Sequence, residues 1–249
     1  VILDKEFAAR VGAKLFGQEA RTFGGGNKAP VELGRIDSLT LGDTEVRNVP
    51  VHVMNTQPFS AAARGKPVSG VLGTVLLYHF LATLDYPGGE LILEPRTEES
   101  LRRLEQRAKI EKHIVVPFWM AGDHFMVAWG RVSQSAPVLL FVDTGLAGAG
   151  YTGPRSVLDE AGIRVSEERA SEGVGGGGKM KLVPFEVDEL TLGEAKERNL
   201  KGFFGPFPPS LEYSLGFRIG GIISHQFFRP YALTLDFTGM RFFLKRRGA

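Results

Sequence analysis

Leu39-Thr40-Leu41-Gly42 recurs as Leu190-Thr191-Leu192-Gly193, 151 residues further on (190 − 39). The same offset carries Asn48 to Asn199, Gly70 to Gly221 and Leu84-Asp85-Tyr86 to Leu235-Asp236-Phe237. It also lays the Gly-rich stretch Phe23-Gly24-Gly25-Gly26-Asn27-Lys28 on Val174-Gly175-Gly176-Gly177-Gly178-Lys179. A register kept without a gap over so many positions marks two copies of one unit. Within each copy, short alternating runs such as Val49-Pro50-Val51-His52-Val53 and Ala232-Leu233-Thr234-Leu235 are punctuated by turn signals, among them Pro87-Gly88-Gly89 and Thr238-Gly239-Met240. That spacing predicts β-hairpins and an all-β chain. Short accessory helices are expected at 5–11, 75–80, 156–161 and 226–229. Asp85 and Asp236 sit at hairpin turns, where an aspartate opening the turn is the expected structural role.

Between the copies lies Glu94 to Lys112, whose charges allow Glu98–Arg102 and Glu99–Arg103 pairs at helical spacing, with Leu101 and Leu104 as a narrow apolar stripe. The organisation read from this is a first lobe over 1–96, a solvated connector over 97–112 and a second lobe over 113–249.

Composition bounds the rest. With 249 residues, 43% of them hydrophobic and 23% charged, the chain is globular and large enough for one big domain or two lobes. Net charge is +2 with basic and acidic residues interleaved outside the tail Lys245-Arg246-Arg247, so no nucleic-acid partner is indicated. There is no cysteine, which excludes disulfides, thiolate nucleophiles and Cys-ligated metals and fits either redox compartment. The longest apolar run, Val71 to Leu84, is too short for a membrane-spanning helix and contains His79.

The chemistry-bearing stretch is Pro137 to Thr152, PVLLFVDTGLAGAGYT. Val138 to Val142 read as a buried strand that stops at Asp143-Thr144-Gly145, so a carboxylate is delivered at the end of a rigid apolar element. Burying an unpaired carboxylate is costly, and an Asp in this position has either a strong local partner or a chemical task. The same tripeptide also makes an ordinary turn.

The repeat and the Asp-Thr-Gly loop together resemble a single-chain aspartic protease built from two retropepsin-like units. The resemblance covers nearly all of the chain apart from the connector. It implies an all-β, two-lobed, acid-protease-like fold with pseudo-twofold symmetry and lobes that pair within one chain. Each lobe would contribute one Asp-Thr/Ser-Gly loop, above a hydrophobic-hydrophobic-Gly segment. Val71-Leu72-Gly73 matches that segment, and the second copy has Ile222-Ile223-Ser224. It further implies peptide-bond hydrolysis of a polypeptide substrate by water activated on an Asp dyad, without cofactor or metal. Asp143 would be one dyad member, Thr144 would brace the facing loop, and Gly145 would let backbone amides approach the carboxylate. Gly175, Gly176, Gly177 and Gly178 would lie in a substrate-covering flap, and Gly24, Gly25 and Gly26 in its counterpart; a plain mobile loop is the other reading of these glycines.

Aligning Gly12 with Gly162 places the first copy's counterpart of Asp143 about eight residues before Val1. The first lobe is therefore expected to lack its own Asp-bearing strand, and these residues alone are expected to be inactive. Other chemistries find little support. Gly173, Gly178 and Lys179 approach P-loop spacing, but Met180 stands where Ser or Thr is needed and a strand pattern follows. The five histidines show no metal-site spacing, and no G-x-S-x-G elbow is present. Two functions stay open: an aspartic-type endopeptidase, and a non-catalytic peptide- or protein-binding module on the same scaffold.

Overall fold

The structure is a computed structural model and describes residues 1–22, 28–61, 63, 65–122, 124–146, 148–175, 178–205 and 209–247. It is built mostly of strands in three sheets, with a few short helices. The chain divides into two compact units, one of Val1–Leu76 with Glu172–Met180 and one of Leu77–Ser171 with Lys181–Ala249.

In the first unit, β1 (Ile2–Asp4), α1 (Lys5–Arg10), β2 (Lys14–Thr22), β3 (Lys28–Leu41), β4 (Thr44–Met54) and β5 (Gly70–Val71) form a five-stranded sheet ordered β2-β3-β4-β1-β5. Alternation along β4 buries Val49, Val51 and Val53 against Leu3, Ala8 and Ile36, as a one-sided strand requires. Each such valine contributes roughly 1.5–3 kcal/mol of burial. The helix begins where Asp4 accepts the Glu6 amide at 3.0 Å, an N-cap that satisfies one of the first-turn donors.

From Thr74 onward, α2 (Thr74–Leu77) leads into β6 (Phe80–Asp85), β7 (Glu90–Pro95), α3 (Glu98–Ile110) and β8 (Ile114–Pro117). Next come β9 (Trp119–Ala121), β10 (Phe125–Val132), β11 (Val138–Asp143), β12 (Tyr151–Thr152) and α4 (Arg155–Glu160). The chain continues through β13 (Ser171–Gly175), β14 (Gly178–Leu192), β15 (Ala195–Phe204) and α5 (Pro209–Leu215). It ends with β16 (Ile219–Ser224), α6 (His225–Phe228), β17 (Tyr231–Asp236) and β18 (Arg241–Arg246). One sheet runs β13-β14-β15-β12-β16-β11-β10-β9, and the other runs β7-β6-β17-β18-β8. Among the described residues no helix is long and apolar enough to cross a membrane.

Positions 151 apart share backbone features. Asn48 and Asn199 both have φ 54°, and Gly42 and Gly193 have φ 58° and 55°. A Cβ at Gly70 would meet the Ile2 carbonyl oxygen at 2.5 Å, and one at Gly221 would meet that of Thr152 at the same distance, so both sites require glycine. β5 pairs antiparallel with β1, Val71 facing Ile2, as β16 pairs with β12, Ile222 facing Thr152. Thr83 of β6 and Thr234 of β17, themselves 151 apart, face each other across antiparallel strands and share a buried hydrogen bond of 2.8 Å.

The two turn aspartates are structural. Asp236, fully buried, accepts the Thr238 and Gly239 amides at 2.9 Å each through Oδ1 and takes Arg241 on Oδ2. Asp85 accepts the Gly88 amide at 3.0 Å and pairs with Arg247 at 2.6 Å. α3 is helical as its charges predict, with Arg103 on Glu99 at 2.6 Å, but Arg102 reaches the backbone oxygen of Glu98 rather than its carboxylate. It is less solvated than its sequence implies: Leu104 and Ala108 are buried against Leu81 and Phe243. The basic tail is consumed by ion pairs, Lys245 with Glu111, Arg246 with Glu197 and Arg247 with Asp85.

Candidate active site

β11 is held on both sides. It runs antiparallel to β10, with Phe141 opposite Val127, and parallel to β16, with Phe141 beside Ile222, Val142 beside Ile223 and Asp143 beside Ser224. Central strands of this kind bury both faces, which explains the unbroken apolar run Val138–Val142. Asp143 thus projects from the end of an element whose position is fixed by two ladders.

The loop that follows is pinned from beneath. Asp143 Oδ1 accepts the Gly145 amide at 2.9 Å, and a Cβ on Gly145 would stand 3.3 Å from that same oxygen. Ser224, fully buried, has its hydroxyl 2.6 Å from the Asp143 carbonyl oxygen and 2.8 Å from that of Leu146. A hydroxyl has one proton to donate, so the two carbonyls share it. His225 Nδ1 lies 2.8 Å from the Leu146 carbonyl, and Gln226 Nε2 donates to the Gly148 carbonyl at 2.9 Å. The Ser224 amide closes the set on the Gly150 carbonyl at 2.9 Å. Ser in place of the pattern's Gly is accommodated, and its hydroxyl becomes a fastener for the loop.

Burial pushes the pKa of the Asp143 carboxyl above its usual range, outweighing the Gly145 and Leu146 amides and the charge of His124, which pull it down. The other carboxylates with displaced pKa values move the opposite way. Glu111 is held at about 2, chiefly by Lys245, and Asp37 and Glu189 are lowered chiefly by lysine partners. In the first unit Asp4 lines a cleft of 620 Å³ with Lys5, Asn55, Thr56 and Ser69. Burial raises its pKa, but the amides of Thr56 and Glu6 and the Thr56 hydroxyl outweigh that and leave it lowered, so Asp4 is a committed capping carboxylate. Asp143 is the carboxyl whose surroundings favour holding a proton, the property expected of a group with acid–base work.

Of the residues singled out in the sequence, Thr144 is half-buried and Gly145 exposed beside Asp143. Gly175 ends β13 and Gly178 begins β14. Gly24, Gly25, Gly26, Gly176 and Gly177 lie outside the described residues. Two groups linked electrostatically to Asp143 carry no sequence signal: His124, whose charge lowers its pKa, and Tyr86, whose own hydroxyl is pushed up in pKa by burial and by the Asp143 charge. Ser224 was visible only as a departure from a glycine; its grip on the loop, with His225 and Gln226, is a tertiary feature.

A family model described as aspartyl protease matches residues 1–76. The match covers under a third of the chain and likens those residues to that family. No curated protein matches the sequence. Among solved structures, conglutin gamma, a basic 7S globulin from lupine seeds, is similar at 12% identity and a TM-score of 0.45, over 98% of this chain and 80% of that one.

Proposed function

We propose that the protein is an aspartic-type endopeptidase in which Asp143 is one of two carboxyl groups that activate water against a peptide bond. The observation that carries this is a carboxyl raised in pKa at the end of a strand fixed on both sides, with its loop pinned by Ser224, His225 and Gln226. One carboxylate takes a proton from water as its oxygen attacks the carbonyl carbon, and the partner, protonated, donates to the carbonyl oxygen; collapse of the resulting diol expels the amine, which leaves protonated. Two carboxyls in contact share one proton because they cannot both be charged, the aspartic-protease case being a worked example of this principle. A carboxyl already pushed up by burial suits the holder of that proton. The glycines around 175–178 and 24–26 serve in this reading as flaps over a polypeptide substrate.

The partner carboxylate is supplied, in the same proposal, by a strand preceding Val1 that pairs along the free side of β5. Several features support a tandem origin: the shared glycine close approaches at Gly70 and Gly221, the equal φ of Asn48 and Asn199, and matching pairings of β5 and β16. β16 has β11 on its other side, whereas β5 is the edge of its sheet, with Val71 and Leu72 36% and 38% exposed. Unpaired edges of this kind are templates for a further strand.

The test compares these 249 residues with a longer chain carrying the upstream segment, each against unfolded protein from mildly acidic to neutral pH, with a pepstatin-type inhibitor as control. Inhibitor-sensitive cleavage is expected in the longer chain alone. Asp143→Asn there should abolish it, by more than the ~10²–10⁴ credited to general acid–base help. Wild-type cleavage by the longer Asp143→Asn chain would refute the assignment, and absence of cleavage with retained peptide binding would favour the binding module.

A further inference from the structure

The cleft beside Asp4 takes no part in the hydrolysis proposed for Asp143. It lies wholly within the first unit, between α1 and the segments 55–57 and 67–69, and its 620 Å³ falls in the range of small-molecule sites. Asp4 has no oxygen to spare there. It gives Oδ1 to the Glu6 amide at 3.0 Å and Oδ2 to the Thr56 amide and hydroxyl at 3.3 and 3.1 Å. The donors on the walls are uncommitted. Arg10 lays its guanidinium over the Phe7 ring, 5.1 Å from the centroid, and has no carboxylate partner among the described residues. Asn55 commits Oδ1 to the Gln57 amide at 2.9 Å, which leaves its NH₂ group to the cleft, together with the Gln57 side chain and the Ser69 hydroxyl.

In the second copy the chain itself supplies the missing carboxylate. α1 (Lys5–Arg10) and α4 (Arg155–Glu160) coincide from end to end at an offset of 150 (155 − 5), the offset that aligns Gly12 with Gly162. Glu160 therefore stands at the position of Arg10, and it pairs with Arg218 at 2.7 Å. Arg218 stands 151 residues after Pro67 (218 − 67), which lines the cleft with Arg10. Where the second copy joins helix and strand by an ion pair, the first leaves an arginine facing open volume.

We propose that this cleft binds a small monocarboxylate with an apolar body, its carboxylate held by Arg10 with Asn55, Gln57 and Ser69 as further donors. A guanidinium laid on an aromatic ring is pre-organised, and its parallel N–H groups match the two oxygens of a carboxylate. Phe7, Pro67 and Val68 offer apolar wall to the rest of the molecule. Charge selects a single negative group: Lys5 and Arg10 are offset by Asp4 and Glu6 along the same walls, so there is no surplus for a doubly charged oxyanion. Glu6, exposed on α1, opposes the ligand and keeps its affinity modest. Binding here does not depend on peptidase activity, and a chain that binds but cleaves nothing would uphold this site while refuting the endopeptidase reading.

The probe is N-acetylleucine, titrated into the 249-residue chain and followed by amide NMR and calorimetry. N-acetylleucinamide, which lacks the charge, and sulfate, which lacks the body, are the controls. N-acetylleucine should saturate and move the amide signals of Arg10, Gln57 and Ser69, while neither control does so. Arg10→Gln should weaken binding about tenfold or more, the loss expected for a charged hydrogen-bonded pair. Arg10→Lys, which keeps the charge but not the fork, should weaken it less, Glu6→Gln should tighten it, and Arg155→Gln on the matching helix should leave it unchanged. Hexanoate, an acid without a peptide bond, separates the two sources of such a group: tighter binding than N-acetylleucine assigns a free acid, weaker binding the end of a peptide, and either upholds the site. No saturation by ~10 mM of either acid, equal binding of N-acetylleucinamide or sulfate, or an unchanged affinity in Arg10→Gln overturns the proposal.

Discussion

Ser224→Ala isolates the fastener beneath the Asp143 loop. The wild-type hydroxyl serves the carbonyls of Asp143 and Leu146 at 2.6 and 2.8 Å from a fully buried position. After the change, Leu146 keeps His225 Nδ1 at 2.8 Å, whereas the Asp143 carbonyl loses its 2.6 Å donor and keeps the Leu146 amide at 3.5 Å, the limit of a useful hydrogen bond. A buried acceptor stripped of its donor costs about 1–3 kcal/mol. The residual amide contact and the good fit of alanine place this case near the middle, at ~1.5 kcal/mol. For a chain of this size that lowers Tm by about 3–6 °C. Calorimetry of wild type, Ser224→Ala, His225→Ala and the double variant tests both the size and the sharing: the double variant strips the Leu146 carbonyl of both donors and should lose ~0.5 kcal/mol or more beyond the sum of the singles. A Ser224→Ala protein melting within a degree of wild type, or a strictly additive double variant, would show that the hydroxyl is not what holds the loop.

Two further outcomes are expected. Thr83→Val leaves the Thr234 hydroxyl, 5% exposed, without its 2.8 Å partner and should cost ~1–2 kcal/mol in urea unfolding, while Thr83→Val with Thr234→Val should regain most of that loss; a double variant as weak as the summed singles contradicts it. For Asp143 the folded pKa lies above the unfolded value near 3.8, so its favourable contribution is complete below that value and is lost as pH rises through the folded pKa. Asn does not titrate, so the Tm advantage of Asp143→Asn should grow as pH rises from about 3 and then level off, and an advantage that shrinks as pH rises excludes this account.

Much of this was legible in the sequence because its signals are local. Val49, Val51 and Val53 alternate and are buried in alternation; the helices expected at 5–11 and 156–161 form at Lys5–Arg10 and Arg155–Glu160. Errors arose where local pattern and tertiary packing part company. The run 71–84 has no turn residue after Gly73, so its helix was read as reaching Phe80, whereas it stops at Leu77 and Phe80 opens β6. α5 is absent from the helices expected from sequence; it opens on Pro209, and proline is at home in a helix's first turn. In α3, Ala108 gives no apolar signal in sequence, yet it is buried in one cluster with Phe243. At the site, the motif marked Asp143, but His124 and Tyr86 reach it only through the fold, 19 and 57 positions away (143 − 124 and 143 − 86).

The pairing of β6 with β17 has a consequence for synthesis. β6 is buried along almost its whole length, yet the strand that covers one of its edges lies 151 residues later at the Thr83–Thr234 contact. At ~5–20 residues per second a ribosome needs about 8–30 s to deliver it. For that interval the nascent hairpin of β6 and β7 carries Leu81 with an unfinished neighbourhood, since Phe243, its partner beneath α3, arrives later still. This sheet can close only after β17 and β18 have emerged, which makes the half-made chain a client for chaperones that bind exposed apolar strands.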